Sequence, residues 1–262
     1  MRNSIKLFMV FLALPLLSLL QSCHFDDEII YPPGTTMDPY TYFGDSVSMG
    51  NGNAKAWVAV NFQGDPRAVG ISFSKKLLEG LPNEHTSIVL DLPEGRGRGF
   101  FTHATLDWNP QGHEPMGVYD KPHFDIHFYI ISKEARMAIG PNDTVAFAKE
   151  IDTKYVPASY MHSPGGVPQM GAHWVDTLSP EFSGQPFTKT FIWGSYNGKF
   201  IFWEPMVTLD YFNSEPDVVV PLRQPQAFQR DGWYPTKYKV SYSKDTQEYT
   251  VALLNLKYHK GE

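Results

Sequence analysis

Between Gly112 and Tyr129 the chain gathers three of its nine histidines, His113, His123 and His127, together with Glu114 and Asp125. The second half of this stretch alternates strictly. If residues 123–130 form a strand, His123, Asp125, His127 and Tyr129 share one face, and Phe124, Ile126, Phe128 and Ile130 share the other. Imidazoles and a carboxylate on one face, opposite an apolar face that fits a core, suit a metal ion or proton transfer.

Two further segments offer matching donors. A Gly/Pro-rich loop runs from Pro164 into Gly-Ala-His173-Trp-Val-Asp176, and Glu204 ends the apolar run Phe200-Ile-Phe-Trp. On a regular strand Glu204 shares a face with Phe200 and Phe202, and a two-residue hairpin sets it opposite Phe191. An ionised carboxylate there is costly unless a cation, an imidazolium or protonation compensates it. The bland alternative is that Pro205 breaks the strand and Glu204 reaches water.

Strand geometry limits how these donors combine. Residues two apart lie roughly 6.6 Å from each other and residues four apart roughly 13 Å, so His123 and His127 cannot share an ion from a straight strand. The preferred set is one ion held by His113, His123 or His127, His173 and Glu204, with Asp125 orienting an imidazole; two metals or a longer polar channel is the other solution. Imidazole and carboxylate donors accept Zn, Fe, Mn, Cu or Ni alike, so the metal is a divalent transition ion of open identity. If a coordination position is free, Asp125 or Glu114 is the candidate catalytic base. His85, His103, His162 and His259 read as structural histidines, and Tyr119 and Tyr129 as core residues that could donate hydrogen bonds.

The elements that must position these groups are mostly strands. Residues 55–62, 67–73 and 86–92 are short, β-branched or aromatic and bounded by turn formers. Phe191–Glu204 reads as a hairpin turning at Asn197-Gly198, and Tyr238–Tyr258 as another with its tip at Ser243–Gln247. Short helices are expected over Lys75–Glu79, capped by Ser74, and Lys133–Ile139, capped by Ser132. With 21 Pro, 21 Gly and 15% aromatics, the fold class is all-β with a few short helices, a sandwich or a barrel. Nothing after about residue 45 resembles a linker or a repeat, so 45–262 is expected to form a single domain.

The beginning of the chain carries a different message. Arg2 and Lys6 precede the apolar run Leu7–Leu20, too short to span a bilayer comfortably, and Leu20-Gln-Ser-Cys23 follows. This resembles the lipobox of bacterial lipoproteins, which implies a signal peptide over 1–22 and lipid on Cys23, the only cysteine. The acidic and Pro-containing stretch 23–44 then reads as a tether. Its His-Phe-Asp-Asp-Glu start is similar to the signal that exports lipoproteins of Bacteroidota-type bacteria to the outer face of the outer membrane, although a solvated tether explains it equally. Loss of Arg2 and Lys6 leaves 20 Lys+Arg against 28 Asp+Glu, a net charge of −8, which argues against nucleic acid. Arg96-Gly-Arg98-Gly, the one short basic cluster, reads as a surface loop.

The strings Gly-His-Glu-Pro, Pro-His-Phe-Asp-Ile-His-Phe-Tyr, Gly-Ala-His-Trp-Val-Asp and Phe-Trp-Glu-Pro-Met, in this order, resemble an uncharacterised family of secreted bacterial proteins. The resemblance covers roughly residues 45–212 and falls on His113, His123, His127, His173 and Glu204. It implies no particular reaction. The leading expectation is thus a lipid-anchored metal-binding protein, with a metal-dependent enzyme as its sharper form. A saturated site for metal capture is a variant of it, and a surface module gripping a glycan or small ligand through its 6 Trp and 14 Tyr is the alternative. Self-association is left open. No Gly-x-Ser-x-Gly, phosphate-binding Gly-x-x-x-x-Gly-Lys, Cys-x-x-Cys or His-Glu-x-x-His string occurs, which disfavours several hydrolase, nucleotidase and redox classes.

Overall fold

The computed structural model describes residues 40–262; the signal segment, Cys23 and the tether up to residue 39 lie outside the described residues. Four strands open the domain: β1 (Thr41–Phe43), β2 (Val47–Met49), β3 (Gly52–Val60) and β4 (Pro66–Ser74). Thr41–Phe43 falls at the end of the stretch read as tether, yet it pairs with β3. The chain then crosses to a second sheet through β5 (Thr86–Asp91), β6 (His103–Asn109), β7 (His123–Tyr129), β8 (Tyr160–His162), β9 (Ala172–Asp176), β10 (Lys189–Tyr196) and β11 (Lys199–Thr208). It returns with β12 (Asp217–Pro221), β13 (Gly232–Tyr234), β14 (Lys237–Ser243), β15 (Glu248–Leu254) and β16 (Lys257–His259).

Two seven-stranded antiparallel sheets result. The first runs β1-β3-β4-β15-β14-β12 with β2 on β3, the second β5-β6-β7-β11-β10-β9-β8, and β13 pairs with β16 apart from both. The class is an all-β sandwich. Side-chain alternation drives the packing: Ala56, Ile71, Phe73, Val251 and Leu253 of the first sheet join Leu106, Phe124, Ile126, Phe128 and Trp203 of the second in one core. Phe124, Ile126 and Phe128 are fully buried, so the apolar face expected for this strand is the inner one.

The two hairpins form, and Asn197 and Gly198 both take positive φ (51° and 75°) as a type I′ turn requires. The helices are shorter than expected. Lys133–Met137 is α-helical with the Ser132 hydroxyl accepting from the Ala135 N–H, as the capping pattern implies. Lys75–Leu78 is a 3₁₀ turn instead, and Ser74 makes no cap to it; its hydroxyl accepts from the Asn53 N–H.

One irregularity bears directly on the site. A register shift at Gly194/Ser195 pairs Ser195 with Phe200 but Gly194 with Phe202, leaving Ile201 as the extra residue. Phe200 therefore packs in the inter-sheet core, while Ile201 and Phe202 pack together on the outer face. Glu204 consequently faces Ile192 across the hairpin, not Phe191, and shares its face with Phe202 but not Phe200.

Candidate metal centre

The outer face of the second sheet is a polar strip. Antiparallel pairing sets Asn109 against His123, Asp107 against Asp125, Thr105 against His127 and His103 against Tyr129. On the other flank Met206 faces Asp125 and Phe202 faces Tyr129, a register that brings Glu204 opposite His127. His173 enters from β9, paired with Gly194. A Cβ on Gly194 would lie 1.9 Å from the Phe202 ring, so only glycine lets that ring lie there, 4.8 Å from the His127 ring and 5.5 Å from His173.

Although this face turns away from the sandwich core, it is not open to water. His123 and His127 are fully buried, and Glu204 is 2% exposed. Strand β11 runs straight through Pro205, so Glu204 does not escape to solvent at a strand end. Two apolar clusters flank the strip: Tyr119, Phe187, Ile192 and Met206 on one side, and Tyr129, Ile139, Ala172, Ile201 and Phe202 on the other.

The donors fall into two groups. His113, His123 and Asp125 each offer an atom within 4.8 Å of the others, and so do His127, His173 and Glu204. In place of the single four-ligand ion preferred from sequence, the fold therefore builds two sets of two imidazoles and one carboxylate. The reason is the strand spacing, which sends His123 and His127 to different groups. Asp125 stands among the donors of the first group.

In the first group His113 Nε2 lies 3.2 Å from Asp125 Oδ2 and His123 Nε2 lies 3.1 Å from Asp125 Oδ1. The Nδ1 atoms meet backbone carbonyls, Glu114 O at 2.7 Å for His113 and Lys121 O at 2.6 Å for His123. A carbonyl can only accept, so both Nδ1 atoms carry hydrogen. Asn109 Nδ2 donates to Asp125 Oδ2 at 2.7 Å. In the second group His127 Nε2 is 3.5 Å from Glu204 Oε1, and His173 Nε2 is 3.6 Å from Glu204 Oε2. Asp107 Oδ2, itself accepting from the Thr105 hydroxyl at 2.7 Å, lies 2.8 Å from His127 Nδ1. That carboxylate–histidine pair presents Nε2 as the donor, the usual arrangement behind a metal-bound imidazole.

Of the twelve buried side-chain atoms without a hydrogen-bond partner among the described residues, two, His103 Nε2 and Asp107 Oδ1, lie elsewhere on this strip, and four are His123 Nε2, Asp125 Oδ1, His127 Nε2 and Glu204 Oε2. These last four belong to the two groups. Unsatisfied buried polar atoms are rare because each costs about 1–3 kcal/mol. Donors held in the right tautomer and left unsatisfied are what a cation would complete.

The charges tell the same story. Burial pushes the Glu204 carboxyl up to about 8; His127 draws it down, and Asp125 raises it further. Burial also drives His173 down to about 3, helped by the charge on His127. For His113 burial opposes protonation, but the hydrogen bond and charge of Asp125 outweigh it and raise the imidazole to about 9. His127 likewise moves up despite burial, through Glu204 and Asp107. Asp125 falls despite burial, under the influence of His123 and His113.

Glu114 does not join either group through its side chain: it is exposed and contributes its carbonyl to His113. The loop that carries His113 closes at Gly112, whose φ is +72° and whose Cβ would meet the Tyr119 carbonyl oxygen at 2.1 Å. Sequence reasoning missed Thr105, Asp107 and Asn109. The signal was present, since His-Ala-Thr-Leu-Asp-Trp-Asn alternates polar and apolar over residues 103–109. His103 stacks on Tyr129, ring centroids 4.8 Å apart, with Nδ1 2.9 Å from the Thr102 hydroxyl. His162 and His259 pack against Trp174 and Phe228.

A family model described as TTHB210-like, hypothetical protein TTHB210, is similar to this chain over residues 63–108. The matched stretch spans β4 to β6 and includes Asp107, but stops before all six candidate ligands. No curated protein and no solved structure matches the chain.

Proposed function

We propose that this protein is an exported metalloprotein, lipid-anchored through Cys23 at the outer membrane, that holds a divalent transition metal on the outer face of its second sheet. The observation that carries the reading is the set of buried donors without hydrogen-bond partners, His127 Nε2 and Glu204 Oε2 in one group and His123 Nε2 and Asp125 Oδ1 in the other. Two imidazoles and one carboxylate are the ligand set of both hydrolytic zinc sites and non-haem iron(II) sites. Three protein ligands leave a position for water or substrate, so the ion would act as a Lewis acid or activate water. His127 with Asp107 behind it, His173 and Glu204 would hold the ion, and Phe202 would keep bulk water from it. The anchor rests on the sequence of residues 1–23; among the described residues no helix is long and apolar enough to cross a membrane.

The test is elemental analysis of protein purified from the native host without a histidine tag, beside a His127→Ala variant. Wild type is expected to carry a transition metal and the variant to lose it. Wild-type protein that carries none, and takes up none of Zn, Fe, Mn, Cu or Ni, refutes the proposal. Radiolabelled palmitate incorporated by wild type but not by Cys23→Ser checks the anchor.

A further inference from the structure

We infer that the strip holds two cations, not one: a resident ion in the buried group and a second, exchangeable ion in the group that the Gly112–Tyr119 loop completes. The inference rests on the metal-binding reading above and extends it.

Three observations converge. The first is reach. Donors on one tetrahedral ion lie about 3.4 Å apart, so each triad, whose atoms lie within 4.8 Å of one another, reaches a common ion by side-chain shifts on the order of an ångström. His123 and His127, by contrast, are four residues apart on β7, ~13 Å along the strand. The two groups share no residue, and each has its own orphaned imidazole nitrogen and its own orphaned carboxylate oxygen. One ion would leave two of those four atoms unsatisfied.

The second is charge. Asp107, Asp125 and Glu204 are all buried on this face. One divalent cation leaves a net negative charge among neutral imidazoles, whereas two leave a single positive charge. That remainder is neutralised by one anionic ligand, so hydroxide or a substrate carboxylate or phosphate is the class of molecule the pair would take.

The third is asymmetry. His127 and Glu204 are sealed in the sheet and the His173 side chain is 19% exposed, whereas the His113 side chain is 38% exposed. His113 is also the one candidate ligand outside a strand. Its loop is tied by the His113 N–H to the Tyr119 carbonyl at 3.0 Å and by Tyr119 within the apolar flank. A loop-borne ligand can leave without unfolding the sheet, so the outer ion enters and departs more readily than the inner one.

The experiment is a Co(II) titration of metal-free, full-length protein, followed by visible absorption and by metal content after desalting. Wild type is expected to take up two equivalents in two phases. His113→Ala should weaken the second phase at least tenfold and leave the first unchanged; His173→Ala should weaken the first. Asp125→Asn, nearly isosteric, repeats the loss of the second phase should the His113 variant misfold by circular dichroism. A single equivalent in wild type overturns the inference, as does one equivalent abolished by His113→Ala and His173→Ala alike. Retention of both phases in His113→Ala and Asp125→Asn overturns it too. Failure of the broader metal reading looks different, since wild type then binds no Co(II) at all.

Discussion

Replacing Glu204 by glutamine should stabilise the metal-free protein at high pH while removing its response to metal. Burial raises the Glu204 carboxyl from 4.5 to about 8, and each unit corresponds to about 1.4 kcal/mol. Keeping this group ionised inside the fold thus costs on the order of 5 kcal/mol relative to water. The sign follows from linkage. Between pH 4.5 and 8 the folded form binds the proton that the unfolded form has released, so stability is intact at the acid end and falls as pH rises through 8. Glutamine keeps the shape and has no charge to bury. Denaturant unfolding in chelator should give nearly equal stabilities for wild type and Glu204→Gln at pH 5. At pH 9 the variant should be more stable by about 2–5 kcal/mol. With zinc at a hundred times its dissociation constant the wild type should gain about 2.7 kcal/mol per site, or about 5–10 °C in melting temperature, and the variant should lose that gain from the inner site. A difference between the two proteins that does not change from pH 5 to pH 9 would refute the reasoning, because Glu204 would then not be desolvated and would need no cation.

Three further outcomes are expected. Metal affinity should rise with pH up to about 9, because ions must displace the proton from His113, raised to about 9, and from Glu204, raised to about 8; calorimetry in buffers of different ionisation enthalpy should detect protons released on Zn(II) binding. Asp107→Ala removes the group 2.8 Å behind His127 Nδ1 and should lower inner-site affinity about 10–100-fold, with the Co(II) spectrum reporting the altered site. Gly112→Ala drives a Cβ to 2.1 Å from the Tyr119 carbonyl at φ +72°, a strain of about 1–3 kcal/mol; it should weaken the second Co(II) equivalent and spare the first.

What the sequence disclosed, and what it concealed, follows from the range of each physical rule. Alternation is local, so the two faces of His123–Tyr129 are legible from seven residues, and a two-residue type I′ turn is legible from Asn197-Gly198 alone. The bulge at Gly194/Ser195 is not local. It depends on the Phe202 ring lying over a glycine on the neighbouring strand, and no pattern within residues 191–204 announces it. That one extra residue decides whether Phe200 or Ile201 accompanies Glu204, and hence what surrounds the carboxylate. Asp107 and Asn109 sat in a readable alternation, but their roles came only from the β6–β7 register, which sets them against Asp125 and His123.

The grouping of the donors follows from the same logic. Chemistry type marks His113, His123, His127, His173 and Glu204 as candidates, and rise per residue excludes one ion shared by His123 and His127. The choice between a single four-ligand site and two triads depends on the partner strands. Because β11 lies beside β7, Glu204 is delivered to His127; because Gly194 carries no side chain, His173 can approach Glu204 from β9. Asp125, two residues from His127 on the same face, is then left for His123 and for the loop histidine. A carboxylate that a single-site scheme assigns to a supporting role thus becomes the centre of a second group, and strand order, not residue chemistry, makes the difference.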